Sequence, residues 1–402
     1  MKLLHTADWH LGAYLGSFSR INEQKLFIDQ LCAIVDKQSI DMVVVAGDIF
    51  DTANPSAAAE ALFYDAMTRL AGRKIPIVLV AGNHDNVERL LAPAPMAAEM
   101  GIIVFATPHC VPPARDFEGF SVHPLGSCCT QIKRGNDDIV LAAMPFVSEK
   151  RLNEAIFTTK DEVGMQKDYS EKVRQLFAAS ADYFRPDAIN IAAGHFHIAG
   201  GESSRGLERD IMLGGSFAVL PPAMPNAQCI AMGHLHRAQK IKCGIDMQNL
   251  AYYAGSPLQY SLSECGYVKG VYIADLAPGQ PVNVEKLPLN CPKPIELWEV
   301  ATAAEALEKC ANGGNSYKYI KITGEAALNP ADIKEMRKLA PDIVSIDIAN
   351  DGGLEEIVSY EKLQILDART EFIEFYTKNR GMPPKDEIIE IFNEILHDEE
   401  IL

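Results

Sequence analysis

Short apolar runs recur along the first two-thirds of the chain, and several stop at a small residue followed by one able to hold a metal ion. Residues 2–6 lead into Ala7-Asp8-Trp9-His10, residues 42–46 into Gly47-Asp48, and residues 75–81 into Gly82-Asn83-His84-Asp85. Farther on, residues 188–193 lead into Gly194-His195 and residues 229–232 into Gly233-His234-Leu235-His236. Short runs of this kind, rich in Val and Ile and bounded by glycine, predict buried strands. Between them the spacing turns helical. Over 21–37, Phe27, Leu31, Ile34 and Val35 share a face, and a second helix is expected over 56–73, after Pro55. Alternating strand and helix predicts an α/β layered fold. In such folds functional groups collect beyond the carboxyl ends of the strands, where all five clusters fall. A sixth run, 250–254, ends in Gly255-Ser256-Pro257 and is expected to close a second sheet.

After about Gly270 the texture changes. Residues 271–276, 295–300, 317–323 and 343–348 read as strands, and 303–311 and 330–339 as helices, with no cluster of metal-type residues. That pattern predicts a large domain over 1–270 and a small α+β domain over 271–358. A tail follows from 359, with two helical segments separated by Gly381-Met382-Pro383-Pro384. In 386–402, Ile388, Ile391, Phe392, Ile395 and Leu396 recur at helical spacing; in 360–378, Leu363, Leu366, Phe372, Ile373 and Tyr376 do the same. Such helices can pack on each other, on their own domain, or into a partner's groove.

Composition adds limits. The 402 residues are 48% hydrophobic and 23% charged, enough for two or three globular domains. No stretch approaches the ~18 apolar residues of a membrane helix, and MKLLHTADWHLG lacks the pattern of a signal peptide. Nine cysteines, mostly in apolar surroundings, read as reduced thiols of a cytoplasmic protein without a functional role. The net charge is −17, but residues 351–402 hold 14 acidic against 5 basic residues, about half of it. Bound divalent cations would neutralise part of the rest, so the charge leaves a nucleic-acid partner open while predicting no broad basic face.

The candidate ligands are Asp8, His10, Asp48, Asn83, His195, His234 and His236. One Asp or Asn at a strand end is usually a cap or turn residue, and a lone histidine is usually a satisfied polar group. Seven at successive strand ends are hard to explain that way. The DxH and HxH spacings put two side chains on the same side of an extended segment, where both can reach one ion. Carboxylate, imidazole and amide without thiolate suit Mn²⁺, Fe²⁺ or Mg²⁺ better than a structural zinc site. Seven ligands suit two ions about 3.5–4 Å apart that share a carboxylate, the arrangement of two-metal phosphoester chemistry.

The segments HTADWHLG, AGDIFDT, AGNHD, GHLHRA and GSPLQYSLSECG, in that order, resemble the calcineurin-like metallophosphoesterase superfamily, and within it the double-strand-break repair nucleases. The match covers roughly residues 1–270; beyond lie only a similar layout and the ending EIIEIFNEI. The resemblance implies a four-layer β-sandwich flanked by helices, a small domain that caps the site and guides DNA, and C-terminal helices that bind a coiled-coil ATPase. It implies two Mn²⁺, with Mg²⁺ as the alternative. One ion would be held by Asp8, His10, Asp48 and His236, the other by Asp48, Asn83, His195 and His234, with Asp48 bridging. It assigns no role to position 197, so His197 (in the first of two GHxH segments) is expected to be a bystander.

His84 is implied as general acid or as a stabiliser of the transition state, a task that suits a histidine titrating near neutrality. Asp51 and Asp85 are the candidates to orient it, though each can equally cap the following helix. The expected reaction is hydrolysis: an activated water attacks phosphorus in line while His84 assists the leaving 3′-oxygen. By the resemblance the substrates are DNA double-strand ends, hairpins and single strands, and the chain forms a homodimer within a heterotetramer. Two alternatives compete: a generic dinuclear metallophosphoesterase acting on nucleotides, and a DNA-end tether with a vestigial site. Against the tether, no ligand position is substituted.

Overall fold

The computed structural model describes residues 1–203, 217–324 and 328–348, together with Pro384 and Ile389. The chain divides into a larger unit, Met1–Glu296, and a smaller one that begins at Leu297.

Two sheets build the larger unit. The first has six strands in the order Asn283–Pro288, Gly270–Asp275, Lys2–Thr6, Met42–Ala46, Ile77–Val80, Ile102–Phe105. The last four run parallel. Their near-continuous apolar sequence reflects cover on both faces. Side chains alternate accordingly: Leu3, Val44 and Val78 enter the core shared with the second sheet, while Leu4, Val43 and Val45 enter the core beneath the helices. Those helices are Ile21–Gln38, which buries Phe27, Leu31 and Val35, and Ala57–Ala71, which begins where the Ser56 side chain accepts a hydrogen bond from the Ala59 amide.

The second sheet has eight strands in the order Gln239–Cys243, Asn249–Tyr253, Cys229–Gly233, Ile189–His195, Asp137–Met144, Cys129–Arg134, Phe120–Gly126, Arg115–Phe117. Helix Glu162–Ala181 sends Tyr169, Val173 and Phe177 into its core. The result is the expected sandwich of two sheets flanked by helices.

Two expectations need correction. Residues 250–254 do not close the second sheet. The strand Asn249–Tyr253 pairs parallel with Cys229–Gly233 on one side and antiparallel with Gln239–Cys243 on the other. The edge strand exposes Lys240 and Lys242, charges that discourage further pairing. Residues 271–276 do not open the smaller domain either. The strand Gly270–Asp275 pairs antiparallel with Lys2–Thr6, so the first sheet keeps it and the division falls between Glu296 and Leu297, not at 270.

In the smaller unit, a sheet ordered Ile295–Val300, Tyr317–Ile322, Ile343–Ile348 carries the helices Ala303–Ala311 and Pro330–Leu339. Its core gathers Trp298, Val300, Ala306, Ile320, Ile322 and Met336. The tail helices expected over 359–402 lie outside the described residues. Among the described residues no helix is long and apolar enough to cross a membrane.

Candidate metal centre

Parallel pairing sets the carboxyl ends of Lys2–Thr6, Met42–Ala46 and Ile77–Val80 side by side, and those of Ile189–His195 and Cys229–Gly233 likewise. Beyond these ends the backbone turns abruptly. Asp8, His10, Asp48 and His234 adopt φ of 52°, 44°, 47° and 96°. A left-handed conformation costs a non-glycine residue roughly 1–2 kcal/mol, so four of the seven candidates hold strained positions that the packed strands enforce. The glycines before Asn83 and His234 have their own cause. A Cβ on Gly82 would lie 2.1 Å from Asp48 Oδ1, and one on Gly233 would lie 1.8 Å from the Ala46 carbonyl oxygen. Only glycine lets these segments approach so closely.

Three groups of side chains bring potential ligand atoms within 4.8 Å of one another: Asp8, His10 and His236; His10, Asp48 and His84; Asp8, Asp48 and His195. Asp48 belongs to two of them. Asn83 joins through its Oδ1, 3.0 Å from His195 Nε2 and 3.1 Å from His234 Nδ1.

The outer ring nitrogens fix which face each imidazole turns inward. His195 Nδ1 donates to the Ala46 carbonyl at 2.8 Å, which leaves the Nε2 lone pair facing Asp48 Oδ2 at 3.3 Å. His236 Nδ1 donates to Glu264 Oε1 at 3.2 Å, which leaves Nε2 facing His10 Nε2 at 3.0 Å. His10 Nδ1 in turn faces Asp51 Oδ1 at 3.2 Å. Lone pairs aimed at each other and at carboxylates repel unless positive charge lies among them. Asp8 Oδ2 is fully buried without a hydrogen-bond partner, a state that is costly for a carboxylate oxygen. The donor set and this orphaned oxygen both fit divalent cations.

The titration behaviour points the same way. Burial raises the Asp8 carboxyl above its ordinary range. For Asp48 burial acts in the same sense, but His195, His84 and His10 outweigh it and hold the group well below that range. Burial opposes charge on His195, yet Asp48 and Asp8 lift it to about 9. Burial and the neighbouring His195 hold His234 far down. The carboxylates therefore demand positive charge, and without metal only protons supply it.

His84 is the most exposed member of the group it forms with His10 and Asp48. Its amide donates to Asp48 Oδ1 at 3.0 Å and its Nδ1 donates to the Asp51 carbonyl at 2.6 Å, with Nε2 4.0 Å from Asp48 Oδ2. Of the two candidate orienting residues, Asp51 acts on it through its backbone. The Asp85 carboxylate instead accepts from the amides of Ile49, Phe50 and Gly82, at 3.0, 3.0 and 2.8 Å, stapling together the loops that carry Asp48 and Asn83. His197 lies beside the cluster: its Nε2 is 3.3 Å from the Gly201 carbonyl, and its ring is 6.5 Å from that of His234.

Residue spacing did not single out Glu264, Lys269, Tyr260 or Gln24, which back the cluster. The Gln24 side chain donates to the His10 carbonyl at 2.6 Å and to the Tyr260 hydroxyl at 3.1 Å, and the Tyr260 hydroxyl reaches the Trp9 carbonyl. Two of the four, Tyr260 and Glu264, lie within GSPLQYSLSECG.

Comparison with known proteins agrees with this geometry. Residues 1–238 match the calcineurin-like phosphoesterase family. Nearly the whole chain is similar to SbcD of the nuclease SbcCD of Bacillus subtilis: 36% identity over 403 residues, covering 98% of this chain and 97% of the relative. Proteins of the same name from Rhodobacter capsulatus (34%, covering 81% of each chain) and Escherichia coli K12 (31%, covering 77% of this chain and 74% of the relative) are similar too. The chain belongs to the calcineurin-like phosphoesterases and, among them, to the SbcD family.

Proposed function

We propose that the chain is the nuclease component of a DNA-end-processing complex: a Mn²⁺-dependent 3′–5′ exonuclease on duplex DNA and an endonuclease on hairpins and single strands. The observation that carries this reading is the inward convergence of Asp8, His10, Asp48, Asn83, His195, His234 and His236 at adjoining strand ends, in a chain similar over almost its full length to SbcD of the nuclease SbcCD.

Asp8, His10, Asp48 and His236 would hold one ion, and Asp48, Asn83, His195 and His234 the other, Mn²⁺ or Mg²⁺ in each case. When bound, such ions acidify a water and offset the charge that grows on the phosphate oxygens. The protein's own work is to orient and protonate. The Asp51 carbonyl holds His84 Nδ1–H, so a protonated Nε2 can give its proton to the leaving 3′-oxygen or share its charge. The left-handed turns at Asp8, His10 and Asp48 keep the ligand atoms in place before substrate arrives.

The partner in this reading is an SbcC-type coiled-coil ATPase, bound through the helices expected over 359–402, with two copies of each chain in the assembly. The acidic tail fits a basic strip on that coiled coil, with the apolar stripe supplying most of the affinity.

The test is cleavage of linear duplex, hairpin and single-stranded DNA in Mn²⁺, with and without the ATPase. Cleavage of all three, with ATP-stimulated digestion of duplex ends, is expected. Hydrolysis confined to small phosphoesters would mark a general phosphoesterase, and no cleavage under either condition would mark a tether. A chain truncated after residue 358 is expected to keep phosphodiesterase activity but lose ATPase binding.

A further inference from the structure

Beyond the ligands lies a second buried ionic group. Glu264 and Lys269 are 0% and 4% exposed, and their side chains form an ion pair directly behind His236. Burying both members of such a pair is expensive, and well-packed apolar residues would often serve stability as well or better. The contacts show another use. Glu264 Oε1 accepts from His236 Nδ1 at 3.2 Å and from the Tyr260 amide at 3.3 Å. Its Oε2 accepts from the Ser256 hydroxyl at 3.0 Å and from Lys269 Nζ. Lys269 Nζ also donates to the His236 carbonyl at 3.0 Å and to Ser256 Oγ at 2.7 Å. The pair therefore grips His236 at both ends, ring and backbone.

The other half of the cluster is built differently. His195 donates its outer N–H to a neutral backbone carbonyl, that of Ala46. A carboxylate behind an imidazole makes the inward nitrogen a stronger electron donor than a carbonyl does, and it fixes the ring more firmly. On the Glu264 side His10 also faces a carboxylate, Asp51.

We infer that Glu264 is a positioning residue for the metal ligand His236, held in register by Lys269, and that it makes the Asp8–His10–His236 half the tighter of two cation sites. This rests on the metal reading above.

The test is Mn²⁺ titration calorimetry on the full chain. Wild type should bind two ions with unequal affinity. Glu264→Ala should weaken the tighter site about 10–100-fold, the usual cost of losing such a partner, and leave the other unchanged. Glu264→Gln, whose amide oxygen still accepts from His236, should fall between. The double variant Glu264→Leu with Lys269→Met replaces the ion pair by apolar volume; it should keep the thermal midpoint yet show the same one-site weakening. Adding Glu264→Ala to His236→Ala should cost no further affinity. Equal weakening of both sites, or no weakening in a folded variant, overturns the inference. A wild type that binds no Mn²⁺ overturns the metal reading itself, and this inference with it.

Discussion

The segments 194–197 and 233–236 carry the same GHxH pattern at the ends of adjacent parallel strands, yet they meet the metal cluster differently. In the first, the strand runs through His195, which pairs opposite Gly233. Phe196 then turns into the core against Phe177, and the chain leaves the sheet with His197 beside the Gly201 carbonyl. In the second, the strand stops at Gly233 and His234 takes φ of 96°, its amide captured by Asp8 Oδ1 at 2.8 Å. That twist brings His234 to Asn83 while Leu235 stays buried and His236 reaches His10. Identical letters thus yield one candidate ligand in one copy and two in the other. Side-chain spacing sets what is within reach; where the extended backbone ends sets what is delivered.

The comparison can be broken most forcefully at Asp48, the carboxylate proposed to bridge the two ions. Asp48→Ala should lose both ions and all cleavage above background, as read by metal analysis of the dialysed protein and a DNA digestion assay. Retention of either ion at wild-type affinity would separate the two copies completely. Next in size is His84→Ala. It should keep both ions but lose about 10²–10⁴-fold in cleavage rate, the usual weight of a general acid; loss of metal instead would make His84 a ligand.

A smaller effect distinguishes what stands behind each copy. The Lys269 and His236 charges overcome burial and lower Glu264 from 4.5 to about 2. A group depressed on folding stabilises the native state above its unfolded value, and that contribution disappears as pH falls through the folded one. In chelated protein, stability should therefore drop between about pH 4.5 and 2 through this group. Glu264→Gln should flatten the fall in a urea-melt series, whereas the Ala46 carbonyl behind His195 has nothing to titrate. Smallest of all, His197→Ala should bind two ions and cleave DNA within about twofold of wild type, the scale of a peripheral substitution. A His197→Ala protein that behaved like His195→Ala would make the two copies equivalent after all.

The candidate ligands were legible because the five clusters that hold them each follow a short strand-like run and a small residue, a pattern that needs no tertiary information. The strand Ile295–Val300 (IELWEV) was legible from apolar residues interleaved with charged ones. The two edge strands of the second sheet were not. Arg115–Phe117 carries exposed charges beside one apolar residue, and Gln239–Cys243 (QKIKC) carries lysines at alternate positions. Where one face is wet, the apolar signal halves. Residues 271–276 read as a strand, but their place in the first sheet is not visible in the sequence, because nothing local tells a strand that its partner is residues 2–5. Glu264 is inconspicuous in the sequence for a similar reason. One acid among 54 acquires meaning only when folding sets it against a histidine 28 residues away.

The left-handed turns at Asp8, His10, Asp48 and His234 have a consequence for anyone engineering this scaffold. Each holds a polar side chain where glycine would be more comfortable, so a selection for heat resistance alone would favour replacing the very residues that converge on the cluster. Thermostability and catalytic competence pull in opposite directions at these four positions. A hardened variant is better sought in the helices Ile21–Gln38 and Ala57–Ala71, whose outer faces are free of that conflict.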